Sequence, residues 1–181
     1  MPHIITVLAP GFEETEAVTT IDLLRRAGVA VTVLGLDSRE VTGSHDITIM
    51  TDKLFTDFSG PFDGIVLPGG MPGTKNLADS APLLDLIRRT HKRDGLCAAI
   101  CAAPMVLGRA GILTGHTATC YPGCEKDLGG ATLVEEDVVS DRNIITSRGV
   151  GTAIPFALEL ISYLADPETS VKVRKSIVYN Q

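Results

Sequence analysis

Residues 95–111 read GLCAAICAAPMVLGRAG. Leu96 to Ile100 is a short continuous apolar run, as expected of a strand buried on both faces. It passes through Cys101 into Ala102 to Ala110, whose spacing is helical and which Gly111 closes. A buried strand turning at once into a helix is the unit from which parallel α/β sheets are built. The same stretch contains the longest apolar, uncharged run, the 14 residues from Gly95 to Gly108. That is short of the ~18 needed to cross a bilayer.

The unit recurs on both sides. His3 to Ala9 is a buried-strand run ending in Pro10-Gly11. Glu14 to Ala27 then has helical spacing, with Ala17, Val18, Ile21, Leu24 and Ala27 as its apolar stripe and Gly28 as its stop. Val29 to Leu36 is a second β-branched run. Glu40 to Met50 reads as a small antiparallel excursion turning at Gly43-Ser44. Asp63 to Leu67 is another strand, ending in Pro68-Gly69-Gly70, and a helix follows from about Pro82 to Lys92. Val138-Val139 and Ile144 to Thr146 bracket Asp141-Arg142-Asn143, a hairpin signal. Thr152 to Leu164 and Ser170 to Val178 read as closing helices. Alternation of this kind predicts a three-layer α/β/α sandwich with a mainly parallel central sheet, and ligands beyond the carboxyl ends of its strands. Pro10 to Glu16, Pro68 to Pro72 and Ile100 to Pro104 lie there.

At 181 residues the chain is sized for a single domain, 1–181, since about 150 residues per domain is usual. Such a domain buries roughly 70% of its unfolded surface and needs no disulfide or metal staple. Hydrophobic residues make up 44% and charged residues 21%, which excludes a disordered chain. A net charge of −6 argues against dedicated nucleic-acid binding, and 4% aromatics with no Trp argue against stacking platforms. The N-terminus has no basic n-region and reads as a strand, not a signal peptide. With four cysteines and no secretory signal, a reduced, cytoplasmic protein without membrane association is expected.

Cys101 sits where the strand bends into the helix between small residues, the mechanical logic of a nucleophile elbow, although Gly-x-Ser-x-Gly is absent. A thiol at a helix N-terminus is expected to have its pKa drawn below the free value, to ~5–7. The alternative is a small buried cysteine filling space. Gly69-Gly70 suits an oxyanion hole, because backbone N–H groups stand free of side chains, and equally suits a tight turn. Glu13, Glu14 and Glu16 fit first-turn capping. A carboxyl beside a thiolate differs, since like charges at short range force one group to hold a proton. Glu16 is the better candidate, because Ala17 beside it belongs to the apolar stripe.

Cys97-x-x-x-Cys101 and Cys120-x-x-x-Cys124 fall within loose zinc spacings. However, along a strand at ~3.3 Å per residue the first two sulfurs stand about 13 Å apart, so no metal site is expected there. Cys120 and Cys124 flank a Tyr121-Pro122-Gly123 turn, which leaves a redox pair open. His3, His45, His91 and His116 form no ligand or dyad pattern.

Four segments together resemble the ThiJ/PfpI superfamily, in the clade of the parkinsonism-associated protein deglycase (DJ-one) and its bacterial relatives. They are Ala9 to Glu16, Val66 to Gly70, Ala98 to Pro104 and Thr146 to Gly149, and the resemblance runs from Ile4 to about Val178. It implies a flavodoxin-like fold, a homodimer, Cys101 as the reactive cysteine and Glu16 as its protonated partner. It also implies that the N–H groups of Gly70 and Ala102 form the oxyanion pocket, with Gly69 in the same turn and Glu13 a second acid nearby. Many relatives carry a His where this chain has Tyr121, and a phenol is a poor base at neutral pH. His45 falls near the family's dimer interface. Ala102 departs from the peptidase branch, which has a His after the cysteine.

The implied activity is cofactor-free: a glyoxalase III-like or deglycase-like hydrolase acting on methylglyoxal, glyoxal or their early adducts. The alternative is an oxidative-stress sensor or redox-regulated chaperone that uses oxidation of the same cysteine.

Overall fold

The computed structural model describes residues 1–180. Its strands are β1 (His3–Leu8), β2 (Ala30–Gly35), β3 (Glu40–Thr42), β4 (Thr48–Met50), β5 (Lys53–Leu54), β6 (Gly64–Leu67), β7 (Leu96–Ile100), β8 (Thr117–Ala118), β9 (Thr132–Leu133), β10 (Val138–Asp141) and β11 (Ile144–Ser147). The helices are α1 (Glu14–Arg26), α2 (Gly73–Ala78), α3 (Ala81–Lys92), α4 (Pro104–Ala110), α5 (Ala153–Leu164) and α6 (Pro167–Ser176).

Seven strands form one sheet in the order β10-β11-β7-β6-β1-β2-β5. Every neighbouring pair is parallel except the β10–β11 hairpin. Successive strand residues point to opposite faces, so each central strand feeds two cores. On β7, Cys97 and Ala99 pack with α2, α3 and α4, while Leu96, Ala98 and Ile100 pack with α1, α5 and α6. The three-layer sandwich is therefore as expected, and β3–β4 forms the antiparallel excursion. None of the described helices is long and apolar enough to cross a membrane.

Four local expectations need correction. Val18 is 49% exposed, while Ala17, Thr20, Leu23 and Leu24 are buried. At 100° per residue Val18 shares its face with Asp22 and Arg25, which stay in water. Helix α2 went unread because a turn and a half shows no periodicity. Helix α4 starts at Pro104, not Ala102, because residues 101–103 form a turn in which Ala103 N–H donates to the Ile100 carbonyl at 3.0 Å. The last helix starts at Pro167, not Ser170, and ends at Ser176; Asp166 caps it, its carboxylate accepting from Thr169 N–H at 2.7 Å.

Candidate active site

The three segments singled out at the strand ends meet. Glu13 N–H donates to the Gly69 carbonyl at 2.8 Å, and Gly69 N–H donates to Glu16 Oε2 at 2.8 Å. The first turn of α1 is thus fastened to the glycine turn after β6. Glycine is required at both positions of that turn. A Cβ on Gly69 would lie 2.7 Å from Cys101 Cβ and 2.9 Å from Glu16 Oε2. One on Gly70, whose φ is +90°, would lie 2.3 Å from the Glu13 nitrogen.

Cys101 has φ +65°, a left-handed conformation uncommon for a residue with a side chain. Its backbone is pinned on both sides: its N–H donates to the Ser147 carbonyl at 2.9 Å, and its carbonyl accepts from Tyr121 N–H at 2.8 Å. These bonds to β11 and to the 119–122 loop over-determine the strained residue and hold the sulfur at the mouth of the turn. The N–H groups of Gly70 and Ala102 favour the charged form of that sulfur and pull its pKa down.

Glu16 is fully buried. Its Oε2 accepts the Gly69 N–H, whereas Oε1 has no hydrogen-bond partner among the described residues. Burial raises the carboxyl to about 7, outweighing the Gly69 N–H and the Cys101 thiol hydrogen bond, which lower it. A carboxylate with a dry, unpartnered oxygen is costly, and a proton on Oε1 removes that cost.

The expected depression of the Cys101 pKa does not hold. Burial, followed by the Glu16 charge and its hydrogen bond, pushes the thiol up to about 12, against the pull of the Ala102 and Gly70 N–H groups. The helix that was to lower it begins three residues later, at Pro104, so the dipole argument loses its geometry. The two groups act on each other: burial raises the carboxyl, and the Glu16 charge adds to the rise of the thiol.

A cleft of about 570 Å³ opens over the pair. Glu13, Glu16, Gly70, Cys101 and Tyr121 line it; Gly69 and Ala102 act through their backbone N–H groups. Glu13 occupies the position before α1 without capping it, so first-turn capping does not account for its side chain. Tyr121 is 52% exposed at the rim. The far wall, Asp137 and residues 148–152, was not assigned from sequence. Ser147 fixes it: its hydroxyl donates to the Asp137 carbonyl at 2.7 Å and lies 2.6 Å from the Thr152 hydroxyl. The signal was available, since Thr146 to Gly149 also spans a strand end.

Cys97 belongs to the core on the α3 side and Cys101 packs against the other core, so the two do not face one site. Cys120 and Cys124 are free thiols. His45 lies beside the cleft, its Nδ1 3.1 Å from Glu14 Oε2 and its N–H donating to Glu14 Oε1 at 2.7 Å. That contact ties the β3–β4 turn to α1. Glu13, Glu14 and His45 are the described residues grouped closely enough to ligate a metal, but Glu14 is already occupied by the His45 bonds.

The sequence matches the DJ-1/PfpI family over residues 2–163. The chain is similar to Drosophila melanogaster protein dj-1beta, at 42% identity over 178 residues, covering 96% of this chain and 95% of that one. It is 34% identical over 168 residues to the Caenorhabditis elegans glutathione-independent glyoxalase DJR-1.2, covering 91% and 89%. The solved structure of oxidized Toxoplasma gondii DJ-1 superposes with a TM-score of 0.96 at 35% identity, covering 100% of both chains. By sequence and by fold, this chain belongs to the DJ-1/PfpI family.

Proposed function

We propose that this protein is a cofactor-independent glyoxalase acting on methylglyoxal, glyoxal or their early adducts, with Cys101 as nucleophile and Glu16 as proton carrier. The observation that carries the reading is the buried Glu16 carboxyl beside Cys101, a residue whose thiolate the Gly70 and Ala102 N–H groups favour. Its value of about 7 suits a group that must take up and return a proton at neutral pH. Sulfur attacks the aldehyde carbon while the thiol proton passes to Glu16, and Glu16 returns it to the carbonyl oxygen, giving a hemithioacetal. Gly70 and Ala102 N–H groups steady the developing oxyanion. Glu16 then takes the proton from the former aldehyde carbon and delivers it to the neighbouring carbonyl carbon, with hydroxyl protons adjusting accordingly. The product is the thioester of a 2-hydroxy acid, isomeric with the hemithioacetal, so no external oxidant is consumed. Water cleaves the thioester, releasing lactate or glycolate and restoring the thiol.

A glyoxalase named among the relatives supports this reading. A second reading, an oxidation sensor or redox-regulated chaperone built on Cys101, is favoured by the oxidized state of the Toxoplasma gondii relative. The same N–H groups that receive an oxyanion would receive a sulfinate. We take the protein to be one domain, homodimeric and cytoplasmic, with His45 near the dimer contact; light scattering giving the mass of a single chain would remove the dimer. The deciding experiment is lactate formation from methylglyoxal by protein freed of other glyoxalases. Turnover lost on Cys101→Ala supports the enzyme. Absence of turnover, with Cys101 gaining two oxygens under peroxide, supports the sensor.

A further inference from the structure

Three of the chain's five phenylalanines, Phe55, Phe58 and Phe62, fall in the crossover between β5 and β6. They line a cleft of about 540 Å³ between that crossover and α3, and none of its lining residues belongs to the Cys101 cleft. The volume lies within the ~300–1,000 Å³ usual for small-molecule sites. Phe58 and Phe62 meet edge to face at 5.8 Å, and His3 meets Phe58 likewise at 6.1 Å, so the aromatic wall is braced by its own rings.

The opposing wall is cationic. Arg93 donates to the Phe62 carbonyl at 2.8 Å and stands 4.3 Å over the Phe62 ring, so its fork is committed. Arg89, one helical turn earlier, makes no hydrogen bond or ion pair with any described residue. No carboxylate of the described residues lines the cleft. The acids around it are engaged: Asp85 with Arg88 at 3.4 Å, Asp63 with His3 N–H at 2.7 Å, and Asp57 with the Thr56 hydroxyl at 3.4 Å. Thr90, 1% exposed on the same wall, has a hydroxyl without a partner among the described residues. In a chain of net charge −6, an aromatic cleft with two guanidinium groups and no acid is complementary to an anion.

We propose that this cleft binds a small aromatic carboxylate, its ring against Phe55 and Phe58 and its carboxylate on Arg89. A guanidinium and a carboxylate are both planar and meet through two parallel hydrogen bonds. With Arg93 committed, one free fork matches one singly charged, planar anion. Offset or edge contacts to phenylalanine favour a flat ring over a branched aliphatic body.

The test uses 2-naphthoate and 2-naphthamide, two probes of nearly the same shape that differ in charge. The chain has no Trp, so naphthalene fluorescence reports binding cleanly. Naphthoate is expected to bind one-to-one and about tenfold more tightly than naphthamide, and the difference should shrink with added salt. Arg89→Met should reduce naphthoate to the level of the amide. Arg89→Lys, which keeps the charge but not the fork, should fall between them and guards against a misfolded methionine variant. Cys101→Ala should bind naphthoate as the wild type does. Equal binding of both probes, no naphthoate binding at millimolar concentration, or a charge preference that survives Arg89→Met would each overturn the proposal.

Discussion

Cys97 and Cys101 belong to the same stretch of chain, the first inside β7 and the second just beyond its end, and both thiols are raised to about 12. Acidity therefore does not separate them. Cys97 is fully buried, and its thiol donates to the carbonyls of Ile87 and Gly95, each 3.8 Å from the sulfur. Burial accounts for its rise, against the pull of the Arg93 charge. Cys101 has left the strand, adopted a left-handed backbone and met a carboxyl whose own value is about 7. Under the proposed function, what sets Cys101 apart from Cys97 is a proton acceptor and donors for negative charge, rather than a low pKa.

The largest expected effect tests that contrast directly. Cys101→Ala should lower methylglyoxal turnover by about 10³-fold or more, as loss of a covalent nucleophile does. Cys97→Ala should leave turnover near wild type; equal losses in steady-state assays of the two variants would erase the distinction.

Next comes the partner. Glu16→Gln keeps a donor but cannot carry a proton, so turnover should fall by about 10²–10⁴-fold. Cys101 should remain oxidisable by peroxide, read as a mass shift. A Gln variant with wild-type turnover would reduce Glu16 to a structural role and make Glu13 the next candidate. Glu16→Asp, shorter by one methylene, should impair both turnover and oxidation.

The pH dependence sharpens the comparison further. Glu16 titrates near 7 in the folded protein against 4.5 for the free group. Between those values the native state holds more protons than the unfolded state, so stability falls as pH rises through the window and levels off above it. The loss is on the order of 3 kcal/mol by the conversion of pKa shift to free energy. Denaturant midpoints at pH 5 and pH 8 should show this decline in the wild type and a flatter profile in Glu16→Gln. Meanwhile kcat/KM should rise through about pH 7 as the base ionises. A wild type equally stable at both pH values would contradict the buried carboxyl. The smallest effect belongs to Cys97→Ala: a loss of about 1–2 kcal/mol, typical of removing a packed atom from a core, visible in thermal unfolding.

Much of the site could be read in advance because its parts sit at strand ends. Runs such as Ile4 to Leu8 and Leu96 to Ile100 are buried on both faces, and the Pro-Gly-Gly and Cys-Ala-Ala-Pro bends after β6 and β7 mark where the sheet stops. Four elements converge there whatever their separation along the chain. The direction of the Cys101 shift was not legible, because it depends on how dry the sulfur is and on a carboxyl from another helix. Helix α2 was too short to show a period, and Val18 was misplaced because an apolar side chain on the water face looks like its buried neighbours. The Phe55–Phe62 cleft was equally hidden, since its cationic wall comes from α3.

The left-handed backbone at residue 101 bears on what the fold itself asks of this position. Glycine adopts φ +65° without steric penalty, and the strain relieved is of order 1 kcal/mol, comparable to the entropy a glycine loses on folding. A Cys101→Gly chain should then fold about as well as the active one, with both flanking main-chain bonds intact. The backbone at this bend therefore asks for no side chain at all, and the thiol is not what lets the chain turn there.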